Sequence, residues 1–120
     1  MLLAIPSESQ AGKLSLRSGH FGHCAYFTLV TIENGEVTNI EPVKNVDHDE
    51  VGCGGVIEFA LGLGIDAILC AGMGYPPYTR FTNGGVEVYL DQTCPTVGDA
   101  IQLFLDGKAQ KMQLDQACRH

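Results

Sequence analysis

Two histidines and one thiol lie within five positions of each other near the start of the chain, in the stretch SGHFGHCAYF at residues 18–27. His20 and His23 offer imidazole nitrogens and Cys24 offers a thiolate, ligands that suit zinc, copper, iron or iron–sulfur species. Neighbouring residues of one loop do not by themselves complete a coordination sphere. The stretch therefore indicates either a metal site built on His20, His23 and Cys24, or an ordinary turn with Cys24 packed inward.

Two glycine-rich turns offer a different chemistry, the binding of an anion. Gly52-Cys53-Gly54-Gly55 opens a predicted helix, where bare backbone N–H groups and the helix dipole favour negative charge. A crowded helix start against a sheet needs the same glycines, so both interpretations stand. Ala71-Gly72-Met73-Gly74 follows a predicted parallel strand, and ligands bind outside the carboxyl ends of such strands. Pro77 replaces the third glycine of a dinucleotide fingerprint, which favours a small anion over a dinucleotide.

Composition and charge exclude several classes of function. A chain of 120 residues with 45% hydrophobic and 18% charged side chains predicts one soluble globular domain. A net charge of −7 without any basic run argues against a nucleic-acid partner, because a phosphate backbone would be repelled. The start, MLLAIPSE, lacks the basic residues and long apolar core of a signal peptide. No apolar run in the sequence is long enough to cross a bilayer. We therefore predict a cytoplasmic protein without membrane association.

The cysteines do not form the pattern of a disulfide framework or a zinc ribbon. Their number is odd, no CxxC motif occurs, and the spacing is wide. Free thiols are therefore expected at all five positions, which are Cys24, Cys53, Cys70, Cys94 and Cys118.

The first half of the chain predicts strands. Residues 2–5 form an apolar strand that ends at Pro6, and the alternation around Leu14 and Leu16 allows a short second strand. Residues 25–33 are rich in β-branched and aromatic side chains, and Asn34-Gly35 favours a two-residue hairpin turn. Residues 36–43 then form the returning strand, where a proline at 42 indicates a sheet edge or the strand end.

The second half alternates helices and strands. Residues 51–64 follow the helical period with their glycine-rich part at the start, and the run 66–71 suits a strand buried on both faces. A helix over 77–83, a strand over 86–90 and a helix over 96–106 capped by Thr96 follow. This order predicts an α/β protein with a mixed sheet and helices on both faces.

Six segments in fixed order carry a family resemblance. LLAIP, SGHFGHCAYFTLVTIENGEV, the glycine-opened helix, GIDAILCAGMG, GGVEVYL and TVGDAIQLFLDGK resemble the dinitrogenase iron–molybdenum cofactor biosynthesis family. The resemblance covers about residues 1–108 as one domain and leaves 109–120 as a polar C-terminal tail. It implies a ribonuclease H-like fold, in which the three turns meet at one end of the sheet.

The resemblance also implies a function. Family members bind, carry or help assemble metal–sulfur clusters, so it implies a non-catalytic carrier or chaperone for an anionic iron and/or molybdenum cluster or its precursor. Cluster-donor or acceptor proteins are the implied partners. The two glycine-opened helix starts would supply N–H donors, and His20, His23, Cys24 and Cys53 would supply ligands or hydrogen bonds to the sulfides. The family's motifs map onto His20, Phe21 and Gly22, onto Gly72, Met73 and Gly74, and onto Gly52, Gly54 and Gly55.

Two other functions remain open from the residues. A protein-interaction or regulatory domain would use a simple His/Cys metal-ion site, with Tyr75 and Tyr78 on the contact surface. A nuclease-type hydrolase needs inward carboxylates close together. The strand LLAI has none and VEVYL offers only Glu87, so we do not expect an enzyme.

Overall fold

The computed structural model describes residues 1–19 and 21–113, with the backbone but not the side chains of His48 and Cys53. A six-stranded sheet forms its middle layer, and no helix in this part is long and apolar enough to cross a membrane. The strands are β1 Leu2–Ser7, β2 Tyr26–Glu33, β3 Glu36–Lys44, β4 Ala67–Cys70, β5 Glu87–Leu90 and β6 Gln110–Lys111. The helices are α1 His48–Gly62, α2 Tyr75–Asn83 and α3 Val97–Leu105, with a short 3₁₀ helix at Gly12–Leu14.

The sheet is mixed, in the order β3-β2-β1-β4-β5-β6. Strand β1 runs antiparallel to β2 and parallel to β4, β5 runs parallel to β4, and β6 returns antiparallel to β5. Along β1, Leu3 and Ile5 pack on the α3 side, whereas Ala4 packs on the side of α1 and α2. The predicted α/β architecture with helices on both faces is therefore confirmed.

Short-range signals in the sequence place several elements correctly. Asn34 and Gly35 have φ angles of 52° and 77°, the left-handed pair that a tight hairpin turn between β2 and β3 requires. All residues of β4 are buried, as the prediction of a strand covered on both faces requires. The Thr96 side chain accepts a hydrogen bond from the Asp99 N–H at 3.2 Å and caps α3.

Three predictions about elements are wrong. Strand β1 continues through Pro6 to Ser7. Its pairing with β4 covers only Leu3 and Ala4, so at position 6 no hydrogen bond to β4 is needed from the proline nitrogen. Residues 14–17 form no strand, only isolated bridges that follow the 3₁₀ helix. Residues 110–111 form β6, although their polarity suggested a loose tail.

The tail is described only in part. Met112 follows β6 and is buried, and its N–H donates to Val88 O at 2.8 Å. Residues 114–120, which include Cys118, lie outside the described residues. The domain boundary at residue 108 stays a prediction.

Candidate ligand-binding site

The three turns singled out in the sequence leave the sheet at the same edge. Strand β2 begins at Tyr26, which pairs with Ser7 at the end of β1 and with Lys44 at the end of β3. Strand β4 runs parallel to β1, so Cys70 ends it in the same direction. The turn before β2, the loop before α1 and the turn before α2 therefore all lie at the edge where ligands bind in open α/β sheets.

A buried phenylalanine holds the first turn in place. Phe21 is 4% exposed, and its ring centroid lies 5.2 Å from that of Phe81 in an edge-to-face arrangement and 5.8 Å from that of Phe27. Since Phe81 belongs to α2 and Phe27 to β2, the turn is fixed to both the helix layer and the sheet. His20, the first residue of the HFG step, lies outside the described residues.

The first turn and the loop before α1 form the two walls of a cleft of about 540 Å³. Gly22, His23 and Cys24 line one wall, and His23 is exposed. The other wall carries Lys44, Asn45, Val46, Asp47 and Asp49. A volume of this size is typical of small-ligand sites. We call this feature the HFG cleft.

Cys24 lies on the inner side of the HFG cleft and faces the core. It is 4% exposed, and the Asn45 side-chain amide donates to its carbonyl oxygen at 2.9 Å and contacts its sulfur at 3.6 Å. Burial raises the pKa of the Cys24 thiol to about 12, so the sulfur is protonated near neutral pH. This is the inward packing of the turn interpretation, and a ligand role for Cys24 stays a prediction.

A simple metal-ion site is not formed by the described side chains. Within residues 1–19 and 21–113, leaving out the side chains of His48 and Cys53, no three His, Cys, Asp or Glu side chains come together closely enough to hold an ion. The predicted trio of His20, His23 and Cys24 is not tested by this, because His20 lies outside that part.

The start of α1 is acidic and already capped. Asp47 accepts a hydrogen bond from the Asp49 N–H on its side chain at 2.9 Å. Its carbonyl accepts from the N–H groups of Glu50 and Val51 at 3.1 and 3.0 Å. The donors of this short first turn are therefore occupied, whereas the anion site predicted at the glycine-rich stretch, which begins at the kink at Gly52, stays a prediction.

Two glycines of α1 lie where a larger residue would be strained or would clash. Gly52 has φ 71° and ψ 177°, which interrupts the helix after its first turn, so the regular helix begins in the glycine-rich stretch. A Cβ on Gly55 would lie 2.5 Å from Val51 Cβ, closer than real contacts allow. A Cβ on Gly54 would lie 3.9 Å from an Arg80 nitrogen of α2. The side chain of Cys53 lies outside the described residues.

The third turn takes part in the core and does not border the HFG cleft. Met73 is 4% exposed and belongs to the same apolar cluster as Phe21 and Cys24. Gly74 caps α2, and Pro76 and Pro77 follow it without N–H groups, so this helix start offers fewer N–H donors than one without prolines. None of Gly72, Met73 and Gly74 lines the cleft.

A buried ion pair that was not predicted from the sequence lies at the same edge. Arg17 Nη1 donates to Asp91 Oδ2 at 2.9 Å and to the Cys94 carbonyl at 3.1 Å, and the two charged side chains are only 5% and 9% exposed. Asp91 directly follows β5, a position that favours function in α/β sheets and was available as a signal. Nothing in the polar stretch around Arg17 indicated that its side chain is buried.

Asp91 is surrounded by donors. Burial would raise the pKa of its carboxyl group, but hydrogen bonds from the Thr93 hydroxyl and from the Cys94 and Thr93 N–H groups outweigh this and lower it to about 2. Their lengths are 2.7, 3.0 and 3.3 Å. The carboxylate is therefore charged throughout the physiological range.

A sequence profile of the dinitrogenase iron–molybdenum cofactor family matches residues 1–107, nearly the whole chain. The chain belongs to this family. It is 35% identical over 115 residues to the uncharacterized protein MJ0580 of Methanocaldococcus jannaschii. The match covers 94% of this chain and 92% of that protein.

Two solved structures are similar to this chain over most of its length. The crystal structure of PH0822 superimposes with a TM-score of 0.79 at 31% identity, covering 93% of this chain and 96% of that one. The apo form of the orange protein from Desulfovibrio gigas superimposes with a TM-score of 0.78 at 25% identity, over 92% of both chains. These relatives share the fold over nearly their full length.

Proposed function

We propose that this protein binds and carries an anionic metal–sulfur cluster of iron and/or molybdenum, or its precursor, and delivers it without catalysing a reaction. Membership in the dinitrogenase iron–molybdenum cofactor family supports this cargo. The similar orange protein has been solved in an apo form. This relative therefore also has a form with a bound group. On this proposal the fold is ribonuclease H-like, and cluster-donor and acceptor proteins are its partners.

The observation that carries the proposal is the HFG cleft, which is bordered by Gly22 of the HFG step, one of the two more specific parts of the family resemblance. Phe21 fixes the turn, Gly22 brings backbone to the cleft surface, and His23 is exposed at the wall. An exposed imidazole offers either a ligand or a hydrogen bond to a sulfide. A carrier must also release its cargo, which agrees with a site of few exposed ligands.

Electrostatics limits how the cleft holds an anion. Lys44 is the cation among the described lining residues, and Asp47 and Asp49 on the same wall carry the opposite charge. Because these groups are exposed, water and salt screen them and their net contribution is small. On our proposal, hydrogen bonds and imidazole ligation therefore hold the cargo more than charge does, with His20 and His23 as the imidazole groups.

The arrangement of carboxylates supports a protein without hydrolytic chemistry. Asp91, the carboxylate at the carboxyl end of β5, is committed to Arg17, Thr93 and Cys94. Glu87 lies at the start of β5, at the opposite end of that strand, and pairs with Lys111. Two-metal hydrolysis needs adjacent inward carboxylates, which these two do not provide.

The test is cluster uptake by the full chain under anaerobic conditions. Purified protein is incubated with iron and sulfide, with and without molybdate, and desalted, and its metal content and visible spectrum are recorded. We expect near-stoichiometric metal with charge-transfer bands. His23→Ala should lower uptake several-fold, whereas Lys13→Ala, an exposed change on the α3 face, should not. Colourless wild-type protein would overturn the proposal, and binding of zinc alone would favour a simple ion site.

A further inference from the structure

The chain contains two Asn-Gly pairs, Asn34-Gly35 and Asn83-Gly84, and the fold treats them differently. In such a pair the backbone nitrogen of the glycine can attack the side-chain amide of the asparagine, since glycine has no Cβ to hinder the approach. Asn34 and Asn83 are both exposed, so water reaches both side chains. The two pairs differ in how firmly the attacking nitrogen is held.

The nitrogen of Gly84 is held by the end of α2. Its N–H group donates to Arg80 O at 3.0 Å and to Phe81 O at 3.1 Å, and the Phe81 side chain is fully buried. A Cβ on Gly84 would lie 3.2 Å from the Leu61 side chain of α1, so this part of the backbone has little room to rotate. An attack on Asn83 therefore requires the end of the helix to unfold first.

The nitrogen of Gly35 is not held in this way. Asn34 and Gly35 form the exposed tip between β2 and β3, and among the described residues no hydrogen bond is made by the Gly35 N–H group. A Cβ on Gly35 would meet nothing within 4 Å, so the space around this peptide is open. Beside the tip, Glu33 lies opposite Glu36, and like charges in this position destabilise an antiparallel pair. The tip therefore opens at a lower cost in free energy than the end of α2.

We propose that Asn34 is a site of spontaneous deamidation, at which its side-chain amide is converted to a carboxylate. The Gly35 nitrogen loses its proton to hydroxide and bonds to Asn34 Cγ, and the Cγ–Nδ2 bond breaks. The leaving nitrogen takes a proton from water and departs as ammonia, which leaves a cyclic imide. Water then opens either C–N bond of the imide and gives aspartate or isoaspartate. Water is the only co-reactant, and nothing is oxidised or reduced.

The reaction changes the tip in two ways. Either product adds a carboxylate between Glu33 and Glu36, where the chain is already acidic. Isoaspartate also adds a methylene group to the backbone of a turn whose φ angles of 52° and 77° match the twist of the flanking strands. The pairing of β2 with β3 therefore weakens at the tip as the protein ages. This inference goes beyond the proposed cluster carriage, because β3 runs from the tip to Lys44 and places the HFG cleft at its other end.

The test is incubation of the folded full chain at mildly alkaline pH, followed by peptide mapping with mass spectrometry. We expect conversion at Asn34 to be roughly tenfold faster than at Asn83, or more. The rate should rise with pH, because the Gly35 nitrogen must lose its proton. Electron-transfer fragmentation distinguishes isoaspartate from aspartate in the product. The variant Asn34→Asp carries the aspartate product from the start and marks its position on an anion-exchange column.

The same wild-type protein in urea is the matched control and depends on no variant. Without the fold, Asn34 and Asn83 differ little because both precede glycine, so their rates should agree within about twofold. Asn39 and Asn45 precede β-branched residues, which hinder the attack, and should stay intact under both conditions. Equal rates at Asn34 and Asn83 in the folded protein would overturn the inference. It would also be overturned if Asn34 stayed intact in the folded protein while both residues reacted in urea.

Discussion

The HFG cleft and the Arg17–Asp91 pair lie at the same edge of the sheet and treat charge in opposite ways. In the cleft, Lys44, Asp47 and Asp49 are exposed, so solvent and salt weaken their interactions. Arg17 and Asp91 are 5% and 9% exposed, so each needs hydrogen-bond partners to remain charged. This difference teaches that a motif rich in metal-ligating residue types can be held in place by apolar packing, while a charged arginine at the same sheet edge is buried.

The largest effect should come from the apolar support of the cleft. Phe21→Ala removes a ring that contacts Phe27 and Phe81, and we expect the free energy of unfolding to fall by roughly 3–5 kcal/mol. Urea denaturation followed by circular dichroism measures this loss. Phe21→Leu keeps most of the volume and should cost well under half as much. A loss below about 1 kcal/mol for the alanine variant would mean that the turn does not depend on this packing.

A smaller effect should appear at acidic pH, where the buried Asp91 carboxylate and its hydrogen bonds from Thr93 and Cys94 are tested. The pKa of Asp91 is lowered from 3.8 to about 2 in the folded protein, so its stabilisation is complete above pH 4 and is lost as the pH falls towards 2. We expect a loss of roughly 2 kcal/mol across this window. Denaturation at several pH values measures it, and Asp91→Asn should flatten this part of the pH dependence.

The matched control for Asp91 is an exposed carboxylate. A hydrogen bond from Lys111 lowers the pKa of Glu87, but the Glu87 side chain is 43% exposed. Glu87→Gln should therefore change the acid limb less than Asp91→Asn does. Equal acid sensitivity in wild type and Asp91→Asn would contradict the stabilising role assigned to the buried carboxylate.

The smallest effects should distinguish two glycines of α1. Gly55→Ala places a methyl group 2.5 Å from Val51 Cβ and should lower the free energy of unfolding by roughly 1–3 kcal/mol. Gly62→Ala meets nothing within 4 Å, lies at the last helical position and should raise it by about 0.5 kcal/mol. Thermal denaturation of both variants gives the sign. Stabilisation by both substitutions would show that Gly55 is not a steric requirement behind the cleft.

The sequence predicted the fold class and most elements, because their signals act over a few residues. The β-branched run of β2, the Asn34-Gly35 turn and the Thr96 cap each depend on nearby backbone geometry. It also identified the family, because each motif is a local pattern and the motifs follow one another along the chain in the family's order. Strand β6 was missed because its pairing with β5 compensates for a polar composition that alone indicates a tail.

The candidate site was predicted less completely. The residue types of His23 and Cys24 indicated metal chemistry. The inward position of Cys24, however, follows from its packing in the core and from its contact with Asn45, 21 residues away. The glycines of α1 suggested an anion cradle, which stays a prediction, and the tertiary structure adds that Asp47 caps the turn before them and that Gly55 lies close to Val51. These outcomes depend on neighbours that a local pattern does not specify.

The sequence by itself determined where the chain turns, which runs form strands and helices, and that the motifs follow the order of one family. Only the tertiary structure decided which polar groups are buried. Arg17 meets Asp91 across 74 positions of the chain, and Phe21 meets Phe81 across the same apolar cluster. The physical reason is that burial and pairing are properties of the assembled layers, since a charge costs free energy only once other elements have removed its water.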